Sequence, residues 1–344
     1  MKGTLKFILL GVIAILALVA FSYYQRVFSS NVVVEDGDEV AFYIPTGSDY
    51  VAVGEKLLAE KRIKNAQAFH WVAEKMNYPN HVYPGRYLLN DGMSTRELVT
   101  LLRSGKQAPM RFTFNKFRTL EDFAVHTAEN LEMTKTSLMQ TLEDEEYLKT
   151  MGLTKEKILG ILVPNTYELY WNVSPQAFVD RMYKEYRAFW DKNDRNKRRT
   201  KWGLTRMEVM TLASIVEEET NKTDEKATVA GVYLNRIRQG MPLQADPTVR
   251  FALQDFTIKR VLNSHLEIDS PYNTYKIRGL PPGPICTASI PSIDAVLNGE
   301  RHEYVYFCVR TDGSGYHHFS KTLTEHLNYA RQYHSMLDAK GIKK

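Results

Sequence analysis

An apolar stretch near the start of the chain restricts its fold more than any other feature. Residues 5–24, LKFILLGVIAILALVAFSYY, include one charged residue, Lys6, and match the about 20 residues that a membrane-spanning helix needs. No A-x-A cleavage pattern closes the stretch, and its apolar run exceeds the roughly 7–15 residues of a signal-peptide core. We therefore expect residues 1–27 to form an uncleaved single-pass anchor, with Lys2 and Lys6 in the cytoplasm and the later residues outside.

Size and charge narrow the class of protein. The 344 residues are 44% hydrophobic, which is enough for two or three domains. The net charge of +5 comes without a nucleic-acid motif or a long basic stripe, so we expect no nucleic-acid partner. The densest basic stretch, residues 192–201, has no apolar periodicity. We interpret it as a solvated loop, and the alternative is a patch that contacts anionic polymer or lipid headgroups.

Two cysteines, Cys286 and Cys308, lie in the region expected outside the cytoplasm. They either pair in an oxidising compartment or remain separate thiols, and the sequence leaves both alternatives open. No catalytic role follows from them.

The region after the anchor predicts a small mixed module. Residues 40–106 have the pattern of a strand, two amphipathic helices and a second strand, closed by a further helix. Ser94 and Glu97 have the spacing of a capping box at the start of that last helix, and Gly105 marks its end. We assign residues 28–106 to this module.

Residues 107–157 predict a short connecting subdomain, a strand followed by a helix that is capped at Thr119. Residues 158–344 predict a mostly helical domain with one β-rich patch, in which residues 311–315 make a hairpin turn. The predicted fold class is therefore α+β, with an N-terminal transmembrane helix, a small module and a mostly helical larger domain.

Three consecutive glutamates, Glu217, Glu218 and Glu219, end an apolar helical run. With about 100° per residue, the apolar face centres near 170° from Met207, and Glu219 falls at about 120°, inside that face. Glu217 falls on its border and Glu218 points to water. Burial against apolar groups raises the pKa of a carboxyl group, so Glu219 is the candidate to carry a donatable proton. The alternative is that the triplet is a frayed, solvated helix end.

Polar segments after the triplet predict the wall of a cleft. A second helix, capped at Thr223 or Asp224, precedes a polar loop, and a Pro/Gly-rich segment forms an ordered loop farther along the chain. Their side chains are suited to hydrogen-bonding or stacking on a sugar. The first loop carries Gln244, Asp246 and Thr248, and the second carries Tyr272, Asn273 and Tyr275.

Four ordered motifs, LASIVEEET, LQADPTV, YNTYKIRGLPPGPI and GYHHFSKTLTEH, resemble those of the endolytic murein transglycosylase (YceG-like) family. The resemblance covers essentially the whole chain and implies that residues 28–106 look like LysM and that residues 158–344 are the YceG-like catalytic domain. It implies a bacterial cell-membrane protein with an extracytoplasmic catalytic domain, peptidoglycan strands as substrate, cell-wall synthesis partners such as penicillin-binding glycan polymerases, and no cofactor.

The resemblance also implies residue roles. Glu219 is the catalytic acid and then base, whereas the expected substrate-binding residues are Glu217, Gln244, Asp246, Thr248, Asn273 and Tyr275. The family cleaves glycan strands between N-acetylmuramic acid and N-acetylglucosamine without water, so one carboxyl group suffices, unlike in an inverting hydrolase. The chain departs from the family pattern at Asn165, where we expect aspartate, and at Glu218, where lysine is usual; we expect Glu218 to face solvent.

Two other functions compete with this interpretation. The chain could be a non-catalytic, membrane-anchored wall-binding protein, which an exposed Glu219 would favour. A metal site of His317, His318, Glu325 and His326 is disfavoured, because adjacent residues on a strand face opposite sides and no H-E-x-x-H spacing occurs.

Overall fold

The structure, a computed structural model, describes residues 2–339. Met1, the first residue of the predicted anchor, and residues 340–344, the end of the predicted catalytic domain, lie outside the described residues. The chain forms two compact units. The first contains the residues up to Phe112 together with Asn130–Glu132 and Tyr167–Val173, and the second contains the remainder.

The first unit contains a long N-terminal helix and a small mixed module. Its elements are α1 (Lys2–Phe28), β1 (Glu39–Ile44), α2 (Tyr50–Ala59), α3 (Ala66–Lys75), a 3₁₀ turn (Tyr78–Asn80), β2 (Gly85–Asn90), α4 (Thr95–Arg103) and most of β3 (Met110–Thr113) and β4 (Thr166–Leu169).

Helix α1 is long and apolar enough to cross a membrane: over Leu5–Phe28 its best window has a mean hydropathy of 2.6 and none of that window is buried within the protein. At its end Val27 is buried in the core of the module. The backbone then continues directly into the module, where Asn31 N–H donates to Met93 O at 2.9 Å.

The module is built on one antiparallel strand pair. Strands β1 and β2 pair from Glu39 opposite Asn90 to Ile44 opposite Gly85, and their inward side chains include the fully buried Phe42. The predicted capping box at Ser94 and Glu97 is present at the start of α4. The order of strands and helices is the one that the sequence indicated.

The second unit is mostly helical, as the sequence predicted for the larger domain. Its elements are α5 (Leu120–Asn130, up to Glu129), α6 (Lys135–Glu143), α7 (Glu145–Thr150), a 3₁₀ helix (Lys155–Ile161), α8 (Pro175–Asp191), α9 (Arg195–Thr200), α10 (Arg206–Glu219), α11 (Lys226–Arg238), α12 (Asp246–Leu253), a second 3₁₀ helix (Asn263–Glu267), α13 (Ile290–Leu297), β5 (Tyr306–Val309), β6 (His317–Ser320) and α14 (Leu323–Ala339).

Helix α10 lies at the centre of this unit. Every residue from Val209 to Val216 is buried, and the helix packs against α11, α12 and α13. Strands β5 and β6 form the predicted hairpin, with Tyr306 opposite Ser320. The Pro/Gly-rich segment before α13 contains neither helix nor strand, as expected.

Several local predictions are wrong. The basic residues 192–201 are not a solvated loop, because Arg195 begins helix α9 and is buried in an ion pair with Asp294 at 3.0 Å. Asp246 and Thr248 lie in the first turn of α12 rather than in a loop. Helix α11 begins after Glu225, without a capping side chain from Thr223 or Asp224. These local structures depend on contacts with residues distant in the sequence, which local sequence patterns do not report.

The two cysteines are unpaired in this structure. Cys286 is buried and Cys308 is partly exposed, and the thiol of Cys286 lies 3.5 Å from the backbone oxygen of Ser214.

Candidate active site

The candidate site forms where α10 ends. A capping box begins the helix, with Thr205 N–H donating to the Glu208 carboxylate at 2.6 Å. The helix ends at Glu219, and Thr220 already has an extended backbone. No basic residue occurs in its last turn, where the negative end of the helix dipole disfavours carboxylates. The three glutamates therefore depend on partners from other segments.

Glu217 receives a buried cation and two hydroxyl groups. Lys226 Nζ lies 2.8 Å from its Oε2, Ser289 Oγ donates to the same oxygen at 2.5 Å, and Ser292 Oγ also donates there. Burial by itself would raise the pKa of Glu217, but these hydrogen bonds together hold it below its ordinary value. Glu217 is thus held as a carboxylate.

Glu218 does not face solvent, so that prediction is wrong. Its side chain is only 7% exposed, with Lys116 Nζ at 3.0 Å and Arg118 Nη2 at 2.8 Å. Burial opposes its ionisation, but the two cations outweigh burial and lower the pKa of Glu218. The prediction from 100° per residue failed because it considers α10 alone. The segment before α5 covers the face of α10 that was predicted to face water.

Glu219 has a neutral partner. Tyr233, on α11, donates its hydroxyl hydrogen to Glu219 Oε1 at 2.7 Å, and the Tyr233 ring meets Phe307 edge-on at 5.8 Å between centroids. Burial raises the pKa of Glu219 to about 7; the Tyr233 hydrogen bond opposes this rise, and the negative charge of Asp246 adds to it. Glu219 is therefore the member of the triplet that can hold a proton near neutral pH.

A second carboxylate, Asp246, lies in the same region. It is the first residue of α12, where the helix dipole favours a negative charge. Tyr275 donates its hydroxyl hydrogen to Asp246 Oδ1 at 2.6 Å. Burial, followed by the charge of Asp246, moves the pKa of Tyr275 far above its ordinary value, so Tyr275 remains a neutral donor.

Arg236, which the sequence interpretation missed, links the walls of the site. It is buried, and its guanidinium donates to Val305 O at 2.6 Å, to Leu243 O at 2.7 Å and to Gln244 Oε1 at 3.2 Å. Gln244 is exposed with a φ of +52°, a conformation that costs a non-glycine residue about 1 kcal/mol or more. The Arg236 contacts to Leu243 and Gln244 hold the backbone in this conformation.

Thr248 and Asn273 are fully buried. Thr248 Oγ1 donates to Ala245 O at 2.7 Å and lies 2.8 Å from Thr274 Oγ1. Asn273 Nδ2 donates to Leu266 O at 2.8 Å and to Ile268 O at 2.9 Å. Thr248 thus joins the start of α12 to the Pro/Gly-rich segment, and Asn273 joins that segment to the end of the second 3₁₀ helix.

The structure thus places the predicted site residues in different surroundings. Glu219, Asp246 and Tyr275 are electrostatically coupled, since the charges of Asp246 and Glu219 each affect the pKa of Tyr275. Glu217 lies in the Lys226 cluster and Gln244 lies on Arg236. Tyr233 and Arg236 were missed because both lie on the buried side of a helix, where tyrosine and arginine carry no motif of their own.

The histidines of the disfavoured metal site lie in separate environments. His317 is buried with its Nδ1 2.9 Å from Glu225 Oε2, whereas His318 stacks on Tyr329 at 4.2 Å. Among the residues whose side chains the structure describes, no group of three or more His, Cys, Asp or Glu residues is arranged to hold a metal ion. Asn165 is exposed, with its Oδ1 accepting from Thr166 N–H at 2.8 Å.

Comparisons with known proteins agree on one family. Residues 42–332 match the YceG-like family. The chain is 30% identical to the endolytic murein transglycosylase of Bacillus subtilis (strain 168), covering 86% of this chain and 85% of that protein. It is 27% identical to the endolytic murein transglycosylase of Streptococcus pneumoniae (strain D39), covering 92% of this chain and 64% of that protein. The crystal structure of a YceG-like protein from Listeria monocytogenes superposes with a TM-score of 0.57 at 30% identity, covering 85% of this chain and 98% of that chain.

Proposed function

The chain belongs to the YceG-like family, and from this premise we propose that it is an endolytic murein transglycosylase with Glu219 as its catalytic acid and base. The enzyme cleaves peptidoglycan strands internally, between N-acetylmuramic acid and N-acetylglucosamine, and leaves 1,6-anhydro-N-acetylmuramic acid ends. The observation that carries the assignment is the contrast within the triplet. Glu217 and Glu218 are hydrogen-bonded to cations, whereas Glu219 is hydrogen-bonded to a tyrosine and has its pKa raised to about 7.

One carboxyl group performs both proton transfers. Protonated Glu219 gives its proton to the glycosidic oxygen, the bond from that oxygen to C1 of the muramic sugar breaks, and positive charge develops at C1. The Glu219 carboxylate then removes the proton from the C6 hydroxyl of the same sugar, and O6 bonds to C1. The proton lost in the first step is regained in the second, so no water is consumed.

The remaining residues have supporting roles in this proposal. The positive charge at C1 is stabilised by Asp246, whose position Tyr275 fixes through their 2.6 Å hydrogen bond. Gln244 offers an exposed amide to the glycan. The contacts to Glu217 converge on Oε2, so its Oε1 is the atom directed to a sugar hydroxyl. Thr248 and Asn273 act on the substrate through the loops that they hold.

The anchor and the module complete the proposal. Helix α1, which has the length and composition of a membrane span, holds the protein in the bacterial cell membrane with the catalytic domain outside the cytoplasm. The module of residues 28–106, with its β1-α2-α3-β2 order, acts as a LysM-like unit that binds glycan. Nascent strands come from cell-wall synthesis partners such as penicillin-binding glycan polymerases.

The test is mass spectrometry of the products from uncrosslinked glycan strands. We expect anhydro ends from the native protein and none from Glu219→Gln, which keeps an oxygen to accept from Tyr233 but has no proton to donate. The exposed Glu143, at the end of α6, provides the matched control Glu143→Gln, which retains activity. Reducing ends would show a hydrolase, and unchanged glycan with the native protein would favour the non-catalytic wall-binding alternative. Full activity of Glu219→Gln alongside loss in Glu217→Gln would transfer the catalytic role to Glu217.

A further inference from the structure

A groove lies where α1 meets the module, and all of its lining residues belong to the first unit. We call it the interfacial groove. It has a volume of about 550 Å³, and the residues that matter for its chemistry are Tyr23, Phe28, Trp71, Lys75 and Arg96.

Aromatic side chains form the floor of the interfacial groove. Tyr23 meets Trp71 edge-on at 5.8 Å and Phe28 at 6.4 Å between ring centroids. Tyr23 is more than half exposed and Phe28 is 41% exposed. Tyrosine and tryptophan concentrate at the headgroup level of membranes because each ring has an apolar body and a polar edge.

Three cations surround these rings. The Arg26 guanidinium and Lys75 Nζ lie 6.0 and 5.9 Å from the Trp71 ring centroid, and the Arg96 guanidinium lies 5.6 Å from that of Phe28. All three side chains are exposed, and none of them forms an ion pair with a side chain that the structure describes. The nearest carboxylate in sequence to Arg96, Glu97, is turned back to Ser94 at 2.8 Å.

Helix α1 sets the position of the interfacial groove relative to the bilayer surface. With 1.5 Å per residue, the roughly 20 residues from Leu5 cross about 30 Å of hydrocarbon and end near Tyr24. Val27 is buried in the module core, and Ser30 forms a β-bridge with Ser94 at the start of α4. Since no free linker separates the helix from the module, the cations and rings stay at the level of the phosphates.

We propose that the interfacial groove binds an anionic phospholipid, with Lys75 and Arg96 on the headgroup phosphate, Arg26 adding positive charge beside Trp71, and the acyl chains along Tyr23 and Phe28. This inference rests on the proposed membrane anchoring but not on the chemistry of Glu219. Basic residues next to a membrane-spanning helix attract anionic lipid headgroups electrostatically. The bound lipid fixes the module against the membrane plane.

The test uses the full chain in phosphatidylcholine nanodiscs that contain a minor share of brominated lipid. Bromine quenches tryptophan at close range, and the signal of Trp71 is the difference between the native protein and Trp71→Phe. We expect brominated phosphatidylglycerol to quench Trp71 on the order of fivefold more than the same share of brominated phosphatidylcholine. In the variant Lys75→Gln/Arg96→Gln, we expect the two brominated lipids to quench Trp71 equally.

A matched control separates the groove from general charge attraction. Lys135→Gln/Lys184→Gln removes two exposed lysines from the second unit, so the net charge changes equally, and we expect it to keep the native preference. Equal quenching by both lipids in the native protein, or loss of the preference in the control, would overturn the proposal. If neither lipid quenches Trp71, the interfacial groove does not reach the lipid and the proposal is overturned, whereas the glycan assay remains a separate test of catalysis.

Discussion

The three adjacent carboxyl groups at the end of α10 differ because each meets a different partner. Lys226 and two serines hold Glu217, Lys116 and Arg118 hold Glu218, and a tyrosine holds Glu219. A cation within hydrogen-bonding distance favours the charged form, and burial favours the neutral form. The catalytic assignment within the triplet depends on these partners rather than on the residue type.

The Tyr233 hydroxyl provides the sharpest test at this scale. Its hydrogen bond lowers the pKa of Glu219, so Tyr233→Phe should raise that pKa further, by about 0.5–1 pH unit, the equivalent of one hydrogen bond. Because the reaction needs protonated Glu219, native activity should fall as pH rises through about 7, and the variant should lose activity at a higher pH. We also expect about a tenfold lower kcat from the misplaced carboxyl group.

The measurement is the pH profile of anhydro-product formation, with Tyr170→Phe as the control because Tyr170 is exposed. A basic limb that stayed in place or moved to lower pH in Tyr233→Phe would contradict the role assigned to Tyr233.

At the scale of elements, α10 is a platform to which other segments attach. Its buried middle packs against α11 and α13, and its last turn attaches the segment before α5 through Glu218. The lysine at the Glu217 site joins the same turn to the start of α11. The end of α10 thereby holds the segment before α5 and the start of α11 next to the candidate site.

Glu218→Gln tests this attachment. It leaves Lys116 and Arg118 without their carboxylate, and since both are about a third exposed, we expect a modest loss of about 1–3 kcal/mol in the free energy of unfolding at neutral pH. The folded-state pKa of Glu218 is lowered, so the stabilisation is present above its unfolded pKa and is lost as pH falls through the folded pKa.

Urea denaturation at neutral and acidic pH measures both effects. The difference between the native protein and Glu218→Gln should therefore shrink on acidification, while the control Glu143→Gln should stay within about 0.5 kcal/mol of the native protein. A difference that grew at low pH would be incompatible with the Glu218 ion pairs.

At the scale of the whole molecule, the exposed apolar surface of α1 is the dominant feature. Large side chains along the helix, such as Phe7, Leu9 and Leu18, are more than half exposed, and water would penalise such a surface. A bilayer would cover this surface, as the proposed anchoring requires.

Ile13→Arg/Leu16→Arg places two charges near the centre of α1, at an insertion cost of roughly 5–7 kcal/mol. We expect the native protein to remain in bacterial membranes after an alkaline carbonate wash and this variant to be released. Leu5→Arg, at the end of the apolar stretch, is the control and should remain bound. Release of the native protein would argue against a spanning anchor.

Local patterns in the sequence determined those parts of the protein that depend on neighbours along the chain. The apolar run of α1, the capping box at Ser94, the hairpin turn before β6 and the partial burial of Glu219 follow from periodicity and short-range spacing. The expected chemistry came from the resemblance of four motifs to those of a known family, which implied roles for individual residues.

Only the tertiary structure decided which groups meet across long stretches of chain. Glu218 lies 100 residues from Arg118 and Arg195 lies 99 from Asp294, and no periodicity reports such distances. The tyrosine that holds Glu219, the burial of Glu218 and the helical start at Asp246 all depend on which surface packs over a helix end. Ionisation follows the groups that surround a carboxyl group in space, and the order of residues along one helix does not contain that information.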